Sequence, residues 1–280
     1  MSIDVIYTAS SGNKYNLKAS GLGMDRETNF HSWTYSPNTT QRQYGDKLNR
    51  YEKEALTYSA KLYFRDSIED SRDMIEALHE DFELDISNET PGKISWNDWY
   101  IECYVQSSTL TPGDDNGYVE NEVEIYAPYP FWIKDATKTF NASSGTSEYE
   151  FLDYTFDYEY DYTPADVGVA KWITHHAFKS EFLMRIYGPC SNPKVVINGH
   201  VYQVYCSLGN GEYLLINSRE GTAYKYSSTG VATNVFDLRD KTSSLFYKIP
   251  GGTLTLTWPG TFKFDLTLYE ERSEPLWTTA

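Results

Sequence analysis

Apolar residues in this chain recur at every second position, in short runs that Gly, Pro or Asn-Gly closes. Between Glu52 and Phe64, residues Leu56, Tyr58, Ala60, Leu62 and Phe64 fall on one side. Ala55, Thr57, Ser59 and Lys61 fall on the other. A period of two sets side chains alternately on the two faces of a strand, so one face is buried and the other wet. Tyr118 to Tyr126 repeats the pattern, with Val119, Val123 and Ile125 inward and Glu120, Glu122 and Glu124 outward. Pro128 and Pro130 then end the ladder, because neither has an N–H to donate. Phe131 and Trp132 follow at once. The stretch from Glu122 to Asp135 therefore reads as the end of one domain and the entry to the next. We expect an N-terminal domain over residues 1–132 and a C-terminal domain over 133–280.

Composition supports sheets over helices. Tyr appears 25 times among 280 residues and the aromatic fraction is 16%, a bias that suits pleated, half-buried surfaces. The net charge is -16. Residues 1–132 hold 23 acidic and 11 basic side chains, so most of the excess lies in the first part. Such a surface argues against specific nucleic-acid binding through phosphates, but suits a surface that DNA slides past without sticking. Cys103, Cys190 and Cys206 lack metal-ligand or redox-motif spacing and are odd in number, as expected in a reducing compartment. MSIDVIYTAS has no basic and apolar leader pattern, so no signal peptide is expected. No stretch approaches a membrane span, so no membrane insertion is expected.

Taken in order, Ile3 to Thr8 is a short strand, and Gly12-Asn13 turns into another. Phe30, Trp33 and Tyr35 precede a polar loop over residues 36–50, long enough to project as an arm or to connect. Residues 66–82, DSIEDSRDMIEALHEDF, read as an amphipathic helix. Asp66 or Ser67 caps it, acidic residues crowd its first turn, and Ile68, Ile75, Leu78 and Phe82 share a face. Lys93 to Val105 reads as a hairpin turning at Asn97-Asp98. In the second part Tyr154 to Tyr162 alternates five aromatics with Thr155, Asp157, Glu159 and Asp161. Phe182 to Tyr187, a hairpin around Asn198-Gly199, EYLLIN, Ala223 to Tyr226, Leu245 to Ile249, Leu254 to Trp258 and Phe262 to Tyr269 are further strands. Short strands at that spacing suggest a sandwich or jelly roll.

No catalytic constellation emerges. His175 and His176 are adjacent, and neighbours in a strand face opposite ways, so they do not chelate together there. Asp153, Asp157, Glu159 and Asp161 have the spacing of a strand's solvent face rather than of a calcium cage or a glycosidase pair. Gly209-Asn210-Gly211 lacks the helix and Lys of a phosphate loop. We expect no enzyme, no catalytic, cofactor or metal site, and no cofactor.

Four stretches carry a family likeness. They are RDMIEALHEDF with PGKISWNDWYIECYV, the junction VEIYAPYPFW, the run NPKVVINGHVYQVYCSLGNGEYLLINS, and FYKIPGGTLTLTWPGTFKFDLTLYEERSEPLW. In that order and spacing the chain resembles the phage distal tail proteins. The resemblance implies a mainly β chain of two domains: an N-terminal tail-tube-like β-sandwich with one α-helix, and a C-terminal galectin-like or jelly-roll β-sandwich. It implies a structural role at the virion tail tip, as a hexameric ring with DNA passing through its lumen. The implied partners are the tail tube protein, the tail-associated hub protein and a receptor-binding protein. The alternative is a carbohydrate-binding protein that recognises cell-wall polysaccharide through the C-terminal sandwich.

Overall fold

A computed structural model describes residues 4–19, 21–25, 28–65, 68–112, 119–142, 168–176 and 178–276. The chain divides into two compact units, Met1–Lys134 with Arg272–Ala280, and Asp135–Glu271. The last residues, which the sequence assigns to the second part, thus group with the first unit.

The first unit holds β1 (Val5–Thr8), β2 (Lys14–Asn16), β3 (Leu22–Met24), β4 (Ser36–Gln41), β5 (Asp46–Glu52) and β6 (Leu56–Phe64). Then come α1 (Ile68–Ser87), β7 (Gly92–Trp96), β8 (Trp99–Pro112) and β9 (Val119–Ala127). β8 is long enough to serve two sheets. Its first half pairs with β7, which pairs with β1 and β2; its second half pairs with β9, which pairs with β6 and then β3. A bulge between Val105 and Ser107 marks the change, as an extra residue bends a strand and strengthens its twist. Tyr58, Ala60, Leu62 and Phe64 are buried as the alternation requires, against Val119, Val123 and Ile125. Asn97 takes φ 54° in the two-residue turn between β7 and β8, a conformation Asn tolerates.

The helix runs from Ile68 to Ser87, five residues past its expected end. Leu78 and Phe82 are buried as expected, but the buried face then continues through carboxylates. Asp85 accepts from the Tyr7 hydroxyl at 2.5 Å and from the Ser10 N–H at 2.8 Å. Asp81 accepts from Ser11 Oγ, Asn13 Nδ2 and Tyr15 Oη. These bonds fasten α1 to the β1–β2 hairpin, so an apolar count stops short of the true end. Thr90 N–H bonds Asp85 O and Glu89 N–H bonds Ile86 O, with Glu89 at φ 51°. That is a Schellman closure.

Residues 36–50 are not a loop. β4 and β5 form an antiparallel hairpin, closed where Arg42 N–H bonds Gly45 O and Gly45 takes φ 69°. Its residues are exposed throughout both strands except Glu52, so there is no hydrophobic face for a sequence reading to find. The strand expected to start at Glu52 begins at Leu56, because Glu52 belongs to β5.

The second unit is entered within β10 (Trp132–Phe140). It continues through β11 (Gly168–Thr174), β12 (Phe182–Tyr187), β13 (Cys190–Ser191), β14 (Lys194–Ile197), β15 (His200–Gln203) and β16 (Ser207–Leu208). β17 (Tyr213–Asn217), β18 (Thr222–Tyr226), β19 (Ala232–Asn234), β20 (Gly252–Trp258) and β21 (Phe264–Arg272) complete it. One sheet runs β19-β18-β17-β12-β21 and another β11-β20-β14-β15. Phe182, Met184, Ile186, Leu214, Ile216, Phe264 and Leu266 of the first share a core with Val195, Tyr202, Leu254 and Leu256 of the second. Asn198 and Gly199 turn β14 into β15 with φ 47° and 83°, the pair of positive φ values a type I′ hairpin needs. Leu245 to Ile249 is not a strand. Tyr247 N–H bonds Ser244 O in a turn, Pro250 has no N–H, and Ile249 keeps one isolated bridge to Ser180.

Candidate assembly surface

Three features of the first unit are exposed: an acidic sheet face, a strand edge without a strand partner among the described residues, and the β4–β5 hairpin. On the sheet β3-β6-β9-β8, one face is the core and the other carries Glu120, Glu122 and Glu124 of β9. Glu122 and Glu124 are exposed, and Lys61 of β6 pairs with Glu120 at 2.7 Å. Gln106 Nε2 donates to Glu124 at 3.2 Å. Among the described residues Lys61 is the one basic side chain paired across this row, so the face stays negative.

The edge belongs to β8. Beyond Tyr104 the strand pairs with β9 on one side, and among the described residues no strand pairs with its other side as far as Pro112. An uncovered row of N–H and C=O groups is a template for another strand. No Lys or Arg guards it between Tyr104 and Pro112. Ile86 of α1, 49% exposed, and Leu110 of β8, 40% exposed, add apolar surface. A cleft of about 200 Å³ lined by Phe82, Ile86, Val105 and Gln106 lies between helix and strand.

Behind the edge, α1 is tied to the sheet by a polar network. Asn121 is fully buried. Its Nδ2 donates to His79 Nε2 at 2.8 Å, and its Oδ1 accepts from Ser108 Oγ at 2.8 Å. Burial pushes the His79 pKa down, with Glu83 acting in the opposite sense, and a neutral ring is the form that can accept from Asn121.

The hairpin is held by its own side chains. Asn38 Nδ2 donates to Glu52 Oε1 at 3.0 Å, Asn49 Nδ2 donates to Thr40 Oγ1 at 2.8 Å, and Arg50 pairs with Glu52 at 2.6 Å. Bonds from Arg50 and Asn38 hold the Glu52 carboxyl below its usual range. Tyr44 at the tip is 88% exposed and Tyr51 63%, aromatic area left uncovered by the described residues.

The Pro130-Phe131 segment ahead of β10 is held within the first unit. Lys53 Nζ donates to Pro130 O and lies 4.2 Å from the centre of the Phe131 ring and 5.5 Å from that of Tyr35. Burial lowers its pKa to about 8.

The candidates for chemistry do not come together. His175 is exposed and His176 buried, with Glu270 Oε1 3.7 Å from His176 Nδ1. Cys103, Cys190 and Cys206 are free thiols. Gly209-Asn210-Gly211 is a turn leading into β17, with Gly211 at φ 75°. Asp153, Asp157, Glu159, Asp161 and the aromatic run from Tyr154 to Tyr162 lie outside the described residues. Among the described residues no group of His, Cys, Asp and Glu is placed to hold a metal ion, and no helix is long and apolar enough to cross a membrane.

Solved structures agree with this architecture along nearly the whole chain. The Dit protein of phage SPP1 matches at TM-score 0.61 and 10% identity, over 97% of this chain and 100% of that one. The fold is that of a phage distal tail protein. A chain of the phage P2 baseplate in its activated conformation with calcium matches at TM-score 0.66 and 14% identity, over 98% of this chain and 100% of that one. The corresponding strontium structure gives TM-score 0.66 and 13% identity, with 98% and 100% covered. SPP1 Dit is described as a paradigm of the hub adsorption apparatus in Gram-positive infecting phages. No family model matches the chain, and no curated protein matches it in sequence. The distal-tail fold is thus shared at identities where only backbone architecture persists.

Proposed function

We propose that this protein is a structural component of a phage or prophage tail tip, forming a hexameric ring that joins the tail tube to the tail-associated hub protein and a receptor-binding protein. The observation that carries the reading is the whole-length agreement of fold with a Dit protein and with baseplate chains. The surface of the first unit supplies a means. Six copies of the sheet β3-β6-β9-β8 would line a lumen with the Glu120, Glu122 and Glu124 face, which repels DNA phosphates and lets the duplex pass without binding. The uncovered edge of β8 would take a strand of the next copy, and the β4–β5 hairpin would lie across that neighbour with Tyr44 and Tyr51 against it. The second unit would face the tail-associated partners. Work of this kind is assembly at the virion tail tip after synthesis in the host cytoplasm, without catalysis or a cofactor.

Native mass of the purified full-length chain, with negative-stain images of the same sample, tests the proposal. The expected result is a species of six chains seen as a ring with a central hole. A chain that stays monomeric at high concentration and after mixing with the tail tube and hub proteins of its own phage contradicts it.

A further inference from the structure

Three Asn-Gly pairs occur in the chain, at 116–117, 198–199 and 210–211. The first lies outside the described residues. The fold holds the other two in different ways. An Asn-Gly pair is chemically labile because glycine has no side chain to shield its amide nitrogen from the preceding carboxamide. What restrains those two groups decides whether they meet.

Asn198 and Gly199 turn β14 into β15, and Asn198 is fastened twice to β20. Its N–H donates to Thr255 O at 2.9 Å, and its Oδ1 accepts from the Thr255 N–H at 2.7 Å. The carboxamide is thus held against the neighbouring strand. Asn210 and Gly211 turn the chain between β16 and β17. Glu212 N–H donates to Gly209 O at 3.2 Å, and of the two central residues only Gly211 takes a positive φ, 75°. That is the signature of a type II turn. Both residues are exposed. Among the described residues neither the Asn210 carboxamide nor the Gly211 N–H has a hydrogen bond. The turn is anchored through its outer residues instead. Gly209 N–H donates to Glu212 Oε2 at 2.6 Å, Gly188 N–H donates to Glu212 O at 2.9 Å, and Lys225 pairs with Glu212 at 2.8 Å.

We propose that Asn210 is the site of a spontaneous modification of the folded chain, deamidation through a succinimide. The Gly211 nitrogen attacks Cγ of Asn210. The N–Cγ bond forms, the Cγ–Nδ2 bond breaks, and ammonia leaves with the proton of the Gly211 N–H. Water then opens the ring at either carbonyl, giving aspartate or isoaspartate. Either product adds a negative charge next to Glu212, where it competes for Lys225. Isoaspartate also lengthens the backbone of a turn that packs against Gly188, where Gly209 O leaves no room even for a Cβ. The second unit thereby carries a mark of the chain's age, whether or not the chain forms a ring.

The test holds the full-length protein in mildly alkaline buffer, native and in guanidinium chloride, and samples both over time. Peptide mapping by mass spectrometry, with electron-transfer fragmentation, assigns each conversion to its Asn and separates aspartate from isoaspartate. In the native chain Asn210 should convert at least about tenfold faster than Asn198, because Asn198 must first release two hydrogen bonds. In guanidinium the two should convert within about twofold of each other, since both are then Asn-Gly pairs in an open chain. Equal native rates at the two sites, a faster Asn198, or an Asn210 that stays an amide while the unfolded chain converts overturns the proposal. So does a tenfold preference for Asn210 that persists in guanidinium, which would trace it to sequence and not to the fold.

Discussion

The Tyr7–Asp85 bond is the sharpest test of how the helix is held. Tyr7 is 2% exposed and Asp85 fully buried, with 2.5 Å between hydroxyl and carboxylate. Tyr7→Phe leaves the carboxylate with the exposed Ser10 N–H as its remaining partner. A hydrogen bond to a charged buried group is worth about 1.5–3 kcal/mol, so that loss is expected. Asp85→Ala strands the Tyr7 hydroxyl at a cost of about 1–3 kcal/mol and opens a small void, for about 2–4 kcal/mol in all. Because each single change leaves the other partner unpaired, the double variant should cost about 2 kcal/mol less than the two singles together. Urea unfolding followed by the fluorescence of Trp96, Trp99 and Trp132, which lie in the same core, measures the midpoints at constant slope. Additivity within about 0.5 kcal/mol would show that the two groups do not hold each other and would refute the reasoning.

Other consequences can be measured on the same protein. Asp81 loses some charge stability to burial but gains more from Tyr15, Ser11 and Asn13, so its pKa lies below the ordinary value. Its contribution is therefore present above the unfolded pKa and lost as pH falls through the lower folded one; Asp81→Asn should flatten the acid limb of urea midpoints below about pH 4. Lys53, with its pKa lowered by burial to about 8, disfavours folding while charged. Stability should rise as pH climbs from about 8 toward about 10.4, the ordinary lysine value, and NMR of the isotopically labelled amine should show it titrating before the other lysines. A Cβ on Gly188 would stand 2.2 Å from Gly209 O, so Gly188→Ala should lower stability by about 1–3 kcal/mol in thermal or urea unfolding.

What the sequence displayed and what it hid divide along physical lines. The strands with one wet and one dry face, such as Leu56–Phe64 and Val119–Ala127, were legible because burial imposes a period of two. The turns at Asn97-Asp98 and Asn198-Gly199 were legible because few residues accept positive φ. The last turn of α1 was not, because Asp81 and Asp85 continue the buried face with charge instead of hydrocarbon. The β4–β5 hairpin was hidden for the opposite reason: with both faces in water it has no apolar stripe, and the Gly45 turn was the sole signal. Neighbours made by strand pairing leave no pattern along the chain. The β8 edge depends on which strands lie beside it, and Tyr187 meets Tyr213 and Tyr226 only through the pairing of β12 with the β17–β18 hairpin.

Hydrogen exchange over residues 104–112 tests the assembly account most directly, because it reads the backbone groups through which one copy would join the next. The account predicts that these amides exchange at least about tenfold more slowly in the assembled ring than in a dilute monomer, as they do when a strand edge is covered. An assembled ring in which residues 104–112 exchange as fast as in the monomer would contradict it, and would place the joint between copies elsewhere.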